Sequence, residues 1–175
     1  MTLLDTSGLC PKLYLCLHCC LLTSPNFKLF MHKVIINDCY GGFGYSPLAL
    51  SEIYKRKHPE VKEFFFYKEG DYNWDTSKFK YLKCTPDKAD YVLIKDKGAE
   101  FIGPFDEDDV VFNEWERHDP DCIAVVEQLG SEKASDSCGK LEIVEIPDNK
   151  YIVHEYDGWE WLETPSTPKD WIEIP

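Results

Sequence analysis

The sequence predicts an α+β fold: a single domain with a mixed β-sheet, two or three packed helices and a carboxyl-terminal β-hairpin. Three observations predict it. The β-branched run Val34-Ile35-Ile36 leads through a glycine turn into Ser46-Pro47, a cap-then-proline helix start. Asp119-Pro120 repeats that start before a second apolar-periodic stretch. Near the end, Asp157-Gly158 separates two arms rich in aromatic and β-branched residues, and both turn residues tolerate positive φ.

Composition sets the limits within which the elements are read. The chain has 175 residues, 43% of them hydrophobic and 14% aromatic, enough to build a core rather than a disordered chain. It carries 32 acidic against 19 basic side chains, and a net charge of −13 argues against a surface for nucleic acid, which needs concentrated basic groups to meet phosphates. No apolar run reaches bilayer-spanning length, so no membrane partner is expected.

Residues 1–30 read as an amino-terminal extension or a mis-assigned start, and residues 31–175 as the α+β domain. Leu9 to Leu22 has the length of a secretory core, but Asp5 stands where such a signal needs positive charge, and Lys12 and His18 interrupt the run. Met31 directly precedes the first strand. The extension brings two basic residues and one acidic residue, so residues 31–175 hold a net charge of −14. Four of the eight cysteines, Cys10, Cys16, Cys19 and Cys20, fall in this extension. Cys16 and Cys19 have the gap of a zinc knuckle, but no second separated pair completes four ligands. The plain reading is reduced cysteines, with Cys39, Cys84, Cys122 and Cys138 mostly in apolar surroundings. Metal and cofactor are assigned to none of these residues.

Within the domain, Lys33 to Asn37 reads as a buried strand. The glycine turn Gly41-Gly42-Phe43-Gly44 follows, and its glycines allow Tyr40, Phe43 and Tyr45 to pack closely. Ser46 then caps a helix with Leu48, Leu50, Ile53 and Tyr54 on its buried face, fading near His58-Pro59. Glu63 to Tyr67 is a candidate strand, Asp71 to Lys80 a polar excursion with aromatic anchors, and Tyr91 to Ile94 a short strand. Phe101 to Pro104 turns the chain, and the carboxylates of Asp106 to Asp109 read as a solvated face. The second helix carries Cys122, Ile123, Val125, Val126 and Leu129 and ends at Gly130. Ser131 to Gly139 is polar and reads as exposed. Leu141 to Ile146 is a strand, and Tyr151–Tyr156 with Trp159–Glu163 forms the hairpin. On its first arm Tyr151, Val153 and Glu155 share one face, with Ile152, His154 and Tyr156 on the other.

Two constellations could carry function. A glycine turn between a strand and a helix N-terminus offers backbone N–H groups and a positive dipole end, which suit a phosphate or carboxylate. The candidate ligand residues are Asn37 and Asp38 at the strand end, Gly41, Gly42 and Gly44 in the turn, and Arg117, one of only two arginines. Arg117 could equally pair with Glu114 or Glu116. The turn matches neither the dinucleotide fingerprint nor a nucleotide P-loop, because Pro47 stands where the third glycine belongs and no Gly-Lys-Ser/Thr follows. No histidine can be paired with Cys39, so no catalytic residue is assigned. The second constellation is the aromatic hairpin, with Tyr156, Trp159 and Trp161 as interface candidates, because rigid aromatic rings supply large contact area. A homodimer is the expected assembly.

Lys33 to Ser46, with its Asn37-Asp38-Cys39-Tyr40-Gly41-Gly42-Phe43-Gly44 core, resembles the opening of a family of small uncharacterised proteins of tailed phages and large DNA viruses. Arg117-His118-Asp119-Pro120, Val125 to Gly130 with Leu141 to Pro147, and Glu155-Tyr156-Asp157-Gly158-Trp159-Glu160 are similar in order and spacing. Members usually begin near Met31. The chain departs in Tyr45, where leucine is commoner, and in Thr167-Pro168-Lys169-Asp170-Trp171, which lacks a basic pair before the final tryptophan. The resemblance implies a viral origin, action in the host cytoplasm and packaging in the virion. It brings no activity with it; the absent catalytic constellation, the acidic charge and the aromatic hairpin are what point to an accessory protein working by protein–protein interaction with a host or virion partner. The alternative is a binding protein for a nucleotide or other phosphate-containing small molecule at the glycine turn.

Overall fold

The computed structural model describes residues 31–73, 78–102, 105–113 and 115–166. The zinc-knuckle cysteines and the final tryptophan segment lie outside them. Among the described residues there are eight strands and three α-helices, the α+β class expected, ending in the expected hairpin. Every ladder is antiparallel, and the strands form three sheets rather than one mixed sheet.

Strand β1 (His32–Asn37) pairs with β6 (Leu141–Ile146), Ile35 opposite Ile143 and Asn37 opposite Leu141. Helices α1 (Pro47–Lys57) and α2 (Pro120–Leu129) bury their apolar stripes with one face of this ribbon. The resulting core joins Ile35 and Leu141 to Ala49, Ile53, Cys122, Val125 and Val126. On α2 the buried set follows i, i+3, i+4 spacing, as expected. On α1 Ile53 is fully buried and Leu50 packs partly against the core, as expected, while the other fully buried residue is Ala49 rather than Leu48.

Both helix starts are capped as read. The Ser46 hydroxyl accepts from the Ala49 amide at 3.1 Å, and Asp119 accepts from the Asp121 and Cys122 amides. Lys57, in the last turn of α1, reaches the Asp119 carboxylate at 2.6 Å and ties the two helices end to end. Gly130 closes α2 at φ 76°.

Strand β2 (Phe65–Asn73) is central to the second sheet, with order β4-β2-β3-β5, where β3 is Lys78–Lys83, β4 is Tyr91–Leu93 and β5 is Phe101–Ile102. This corrects the expected polar excursion. Asp71 to Asn73 continues β2 and Lys78 begins β3, paired across a bulge. Phe101-Ile102 likewise adds a strand where only a turn was read. A ring cluster of Tyr81, Tyr91, Phe101 and Phe105 holds the sheet, with centroids 4.3–5.8 Å apart. The acidic Glu107–Asp109 stretch is a 3₁₀ turn, and Asp109 is not solvated as expected but sits 2.5 Å from the Lys97 ammonium.

Ser131 to Gly139 is not exposed throughout. Ser131–Ala134 forms a short helix, α3, and Ala134 and Ser135 are buried. The Ser135 hydroxyl donates to the Ser131 carbonyl and accepts from the Leu141 amide, which is why a polar residue can sit there. Strands β7 (Ile152–Tyr156) and β8 (Trp159–Glu163) form the last sheet, turning at Asp157 (φ 51°) and Gly158 (φ 87°).

Candidate functional site

The glycine-turn residues come together, and they come together on the carboxyl-terminal hairpin. Asn37 is fully buried at the end of β1. Its amide side chain donates to the carbonyls of Cys39 (2.8 Å) and Gly158 (2.7 Å) and accepts from the Lys140 amide (2.7 Å), while its backbone N–H donates to Glu160 Oε2 at 2.8 Å. Arg117 meets the same Glu160 in a two-pronged pair at 2.6 and 2.7 Å and lies 3.8 Å over the Phe43 ring. Its partner is therefore Glu160, not Glu116, and Glu114 lies outside the described residues. The Arg117 carbonyl also accepts from the Ile35 amide, so the corner before α2 is stitched to β1.

The turn is filled by the chain itself at Gly41 and Gly44, but not at Gly42, where a Cβ would meet nothing within 4 Å. A Cβ on Gly41 would fall 1.5 Å from the Cys138 carbonyl oxygen, and one on Gly44 would fall 2.0 Å from the Asp136 carboxylate. Gly158 packs so that a Cβ would lie 2.6 Å from the Gly42 nitrogen. The glycines thus serve close approach of the 136–139 loop and the hairpin tip rather than an open cradle. The N-terminus of α1 is occupied too, by the Ser46 hydroxyl. Of the three rings expected to pack at the turn, Phe43 and Tyr45 do, edge to face at 5.3 Å. Tyr40 instead stands 71% exposed, facing Trp159. The Tyr45 hydroxyl is buried beside the Cys122 thiol, which burial pushes up to about 11.

Asp38 points away from this knot. Its carboxylate meets Lys140 Nζ at 2.5 Å and accepts from the Trp159 indole N–H at 3.1 Å, and these two contacts hold it below the usual carboxylate range. It links the knot to the hairpin's other face.

That hairpin has an inverted polarity. Register places Ile152 opposite Glu163, His154 opposite Trp161 and Tyr156 opposite Trp159, all on one face, with Val153, Glu155, Glu160 and Leu162 on the other. The charged Glu160 is buried, while Tyr156 is 69% exposed, Ile152 59%, and Trp159 and Trp161 about 40%. The outward rings form a continuous row. Tyr40 and Trp159 are 6.5 Å apart, Trp159 and Trp161 5.5 Å, and Trp161 stacks on His154 at 5.4 Å. His154 in turn meets Glu163 at 2.9 Å.

A hollow of about 420 Å³ lies against the glycine turn, lined by Gly42, Phe43, Arg117, Val153 and Glu160, and two larger ones flank the hairpin. One of about 1000 Å³ lies on the β7 side, lined by Trp115, His118, Tyr151, Val153 and Pro165, with His118 Nδ1 and the Tyr151 hydroxyl 2.8 Å apart. Burial pushes that hydroxyl up. The other, about 530 Å³, runs along β8 over Ile36, Val144 and Ile146, with Asp38, Glu142 and the two tryptophans at its walls.

The four described cysteines are free thiols: Cys122 buried, Cys39 and Cys84 half-buried and Cys138 exposed. Among the described residues no group of three His, Cys, Asp or Glu side chains is placed to hold a metal ion, and no helix is long and apolar enough to cross a membrane. Glu160 is the residue the sequence reading missed. Its signal was the two-residue period of β8, which puts Glu160 beside Leu162 and opposite both tryptophans. No protein-family model, characterised protein or solved structure matches the chain.

Proposed function

We propose that the protein is a small interaction protein whose docking surface is the outward aromatic face of the β7–β8 hairpin. The setting is the one its sequence resemblance implies, an accessory protein of a DNA virus or tailed phage, acting in the host cytoplasm or carried in the virion, and self-association is part of that reading. One observation carries it: the hairpin buries a carboxylate and presents tryptophans. A hairpin stabilised only for its own domain would place the rings inward, since exposed aromatic area forgoes burial worth about 25 cal/mol per Å². The glycine turn supports the phosphate-binding alternative less well, because Cys138 and Asp136 fill its Gly41 and Gly44 sides and Arg117, beside the hollow over Gly42, is engaged by Glu160. An anion there would have to displace a carboxylate.

The test is a photo-crosslinking amino acid introduced in place of Tyr156, with Ile102, an exposed residue of the four-stranded sheet, as the control position. Irradiation of producing cells is expected to give discrete adducts from position 156 and none from 102. The same weak smear from both positions would end the reading.

A further inference from the structure

We infer that the outward hairpin face and the groove along β8 dock a basic segment of a partner protein, a linear stretch rich in arginine and lysine. The inference rests on the interaction reading and adds the partner's chemistry. Its first support is the ring row. Tyr40, Trp159 and Trp161 offer a run of aromatic faces to solvent, and a guanidinium laid on an indole face is attracted by the ring's electron density. The molecule already makes that contact internally, with Arg117 3.8 Å over Phe43.

The second support is charge. Residues 151–166 contain Glu155, Asp157, Glu160 and Glu163 and neither lysine nor arginine. Among the described residues lining the β8 groove, the charged ones are Asp38, Glu142 and Glu160, all acidic. Asp38 is paired with Lys140 and the buried Glu160 with Arg117, which leaves Glu142 as the groove's main contribution to the field. The groove floor of Ile36, Val144, Ile146 and Leu162 suits the aliphatic stems of long basic side chains, whose charged heads then reach Glu142 at the rim and compete with Lys140 for Asp38. A second copy would set this acidic face against itself, in a chain already at −13. Charge complementarity therefore gives this face to a basic partner and leaves the self-association proposed above to another surface.

The probe is a dye-labelled peptide of alternating arginine and serine, with the same peptide carrying citrulline for arginine as its uncharged control. Both are titrated by fluorescence anisotropy against the full chain. Any acidic protein attracts such a peptide, so the variants separate surface from bulk charge. Trp159→Ser with Trp161→Ser leaves net charge unchanged and is expected to weaken binding about tenfold or more. Glu107→Gln with Asp108→Asn removes two charges elsewhere and is expected to change it less than about twofold. Tyr156→Ser is the single-site version, should the double variant not fold. Equal losses from both double variants, or no loss from either the tryptophan pair or Tyr156→Ser, would overturn the inference. So would a dimer in sedimentation that the tryptophan changes abolish and the arginine peptide leaves intact, because the face would then belong to a second copy. Crosslinks from position 156 without peptide binding would sink the basic partner alone; absence of both would sink the interaction reading with it.

Discussion

The inner and outer faces of the β7–β8 hairpin do opposite jobs with side chains one residue apart. On the inner face Glu160 is almost completely buried and is held by Arg117 and the Asn37 amide. On the outer face Trp159 and Trp161 keep about 40% of their surface in water. The inner face is a polar lock that fixes where the hairpin sits. The outer face is what the lock presents. The comparison teaches that the residues most suggestive of chemistry, Asn37, Arg117 and the glycines, serve position, while residues usually assigned to a core are left outside.

The largest effects should come from breaking the lock on one side only. Arg117→Met leaves the Glu160 carboxylate buried without its cation, a change that costs about 3–5 kcal/mol. Urea unfolding should show it as a lower midpoint at unchanged slope. Adding Glu160→Leu to Arg117→Met should recover part of the loss, since the penalty lies in the orphaned charge rather than in the missing bond. A double variant worse than the single would mean that the inner face acts through something other than this pair.

Next is the close approach at the turn. Gly41→Ala places a methyl 1.5 Å from the Cys138 carbonyl oxygen, a backbone atom that can give way only by moving the 136–139 loop. A cost of about 2–3 kcal/mol is expected, of the size of other overpacking changes. Gly42→Ala meets no atom within 4 Å and is disfavoured by its φ of 102° alone, so about 1 kcal/mol should suffice. Thermal unfolding of the two variants ranks them. The reverse order would show that the turn is shaped by backbone conformation and not by what fills it.

A smaller, pH-dependent effect belongs to the helix pair. Burial pushes the Asp119 carboxyl up, but the Lys57 ammonium and the Cys122 and Asp121 amides outweigh it, so the net shift is downward from 3.8. A carboxyl depressed in the folded state stabilises above its unfolded value, and that contribution fades as pH falls through the folded one. Asp119→Ala should therefore cost about 1 kcal/mol at neutral pH, and less once the pH drops below 3.8. In the loop after β4 Asp96 is pulled down to about 2 by Lys83, Tyr67 and the Gly98 amide, so its share persists to low pH. Stability measured against pH for the Asp119→Ala and Asp96→Asn variants separates the two.

What the sequence reveals and conceals follows the range of the interactions. The caps at Ser46 and Asp119 and the turn at Asp157-Gly158 are settled by neighbours within four residues, and they are legible. Strand β3 is not, because Tyr81 is packed by Phe101 and Phe105, about twenty residues on, and nothing local tells it from the exposed Phe79. Ser135 looks like a loop residue until Leu141 and Ser131 supply its partners. The candidate site was half legible. Asn37 and Arg117 stand out by type and rarity, but what they hold, Glu160, lies 123 and 43 residues further on, a separation no local pattern encodes. That Trp159 and Trp161 share one face, with Glu160 and Leu162 on the other, was written in the period of β8; which of the two met the domain was not.

The smallest stability effects should come from the outer face, and they complete the comparison. Tyr156→Ser removes a ring that is mostly in water and should shift the unfolding free energy by no more than about 0.5 kcal/mol. Trp161→Ser loses stacking on His154 and Trp159 as well, and about 1 kcal/mol is expected. A face kept for the fold would give the opposite ranking, with Trp161→Ser approaching the Arg117→Met loss, because a buried aromatic truncation costs about 3–5 kcal/mol. Measured under one set of conditions, the ratio of these two losses separates the alternatives. A ratio near one would make the hairpin an ordinary packing element whose rings are covered in solution. A small ratio leaves the tryptophans as area the fold does not need, free to be spent on a partner.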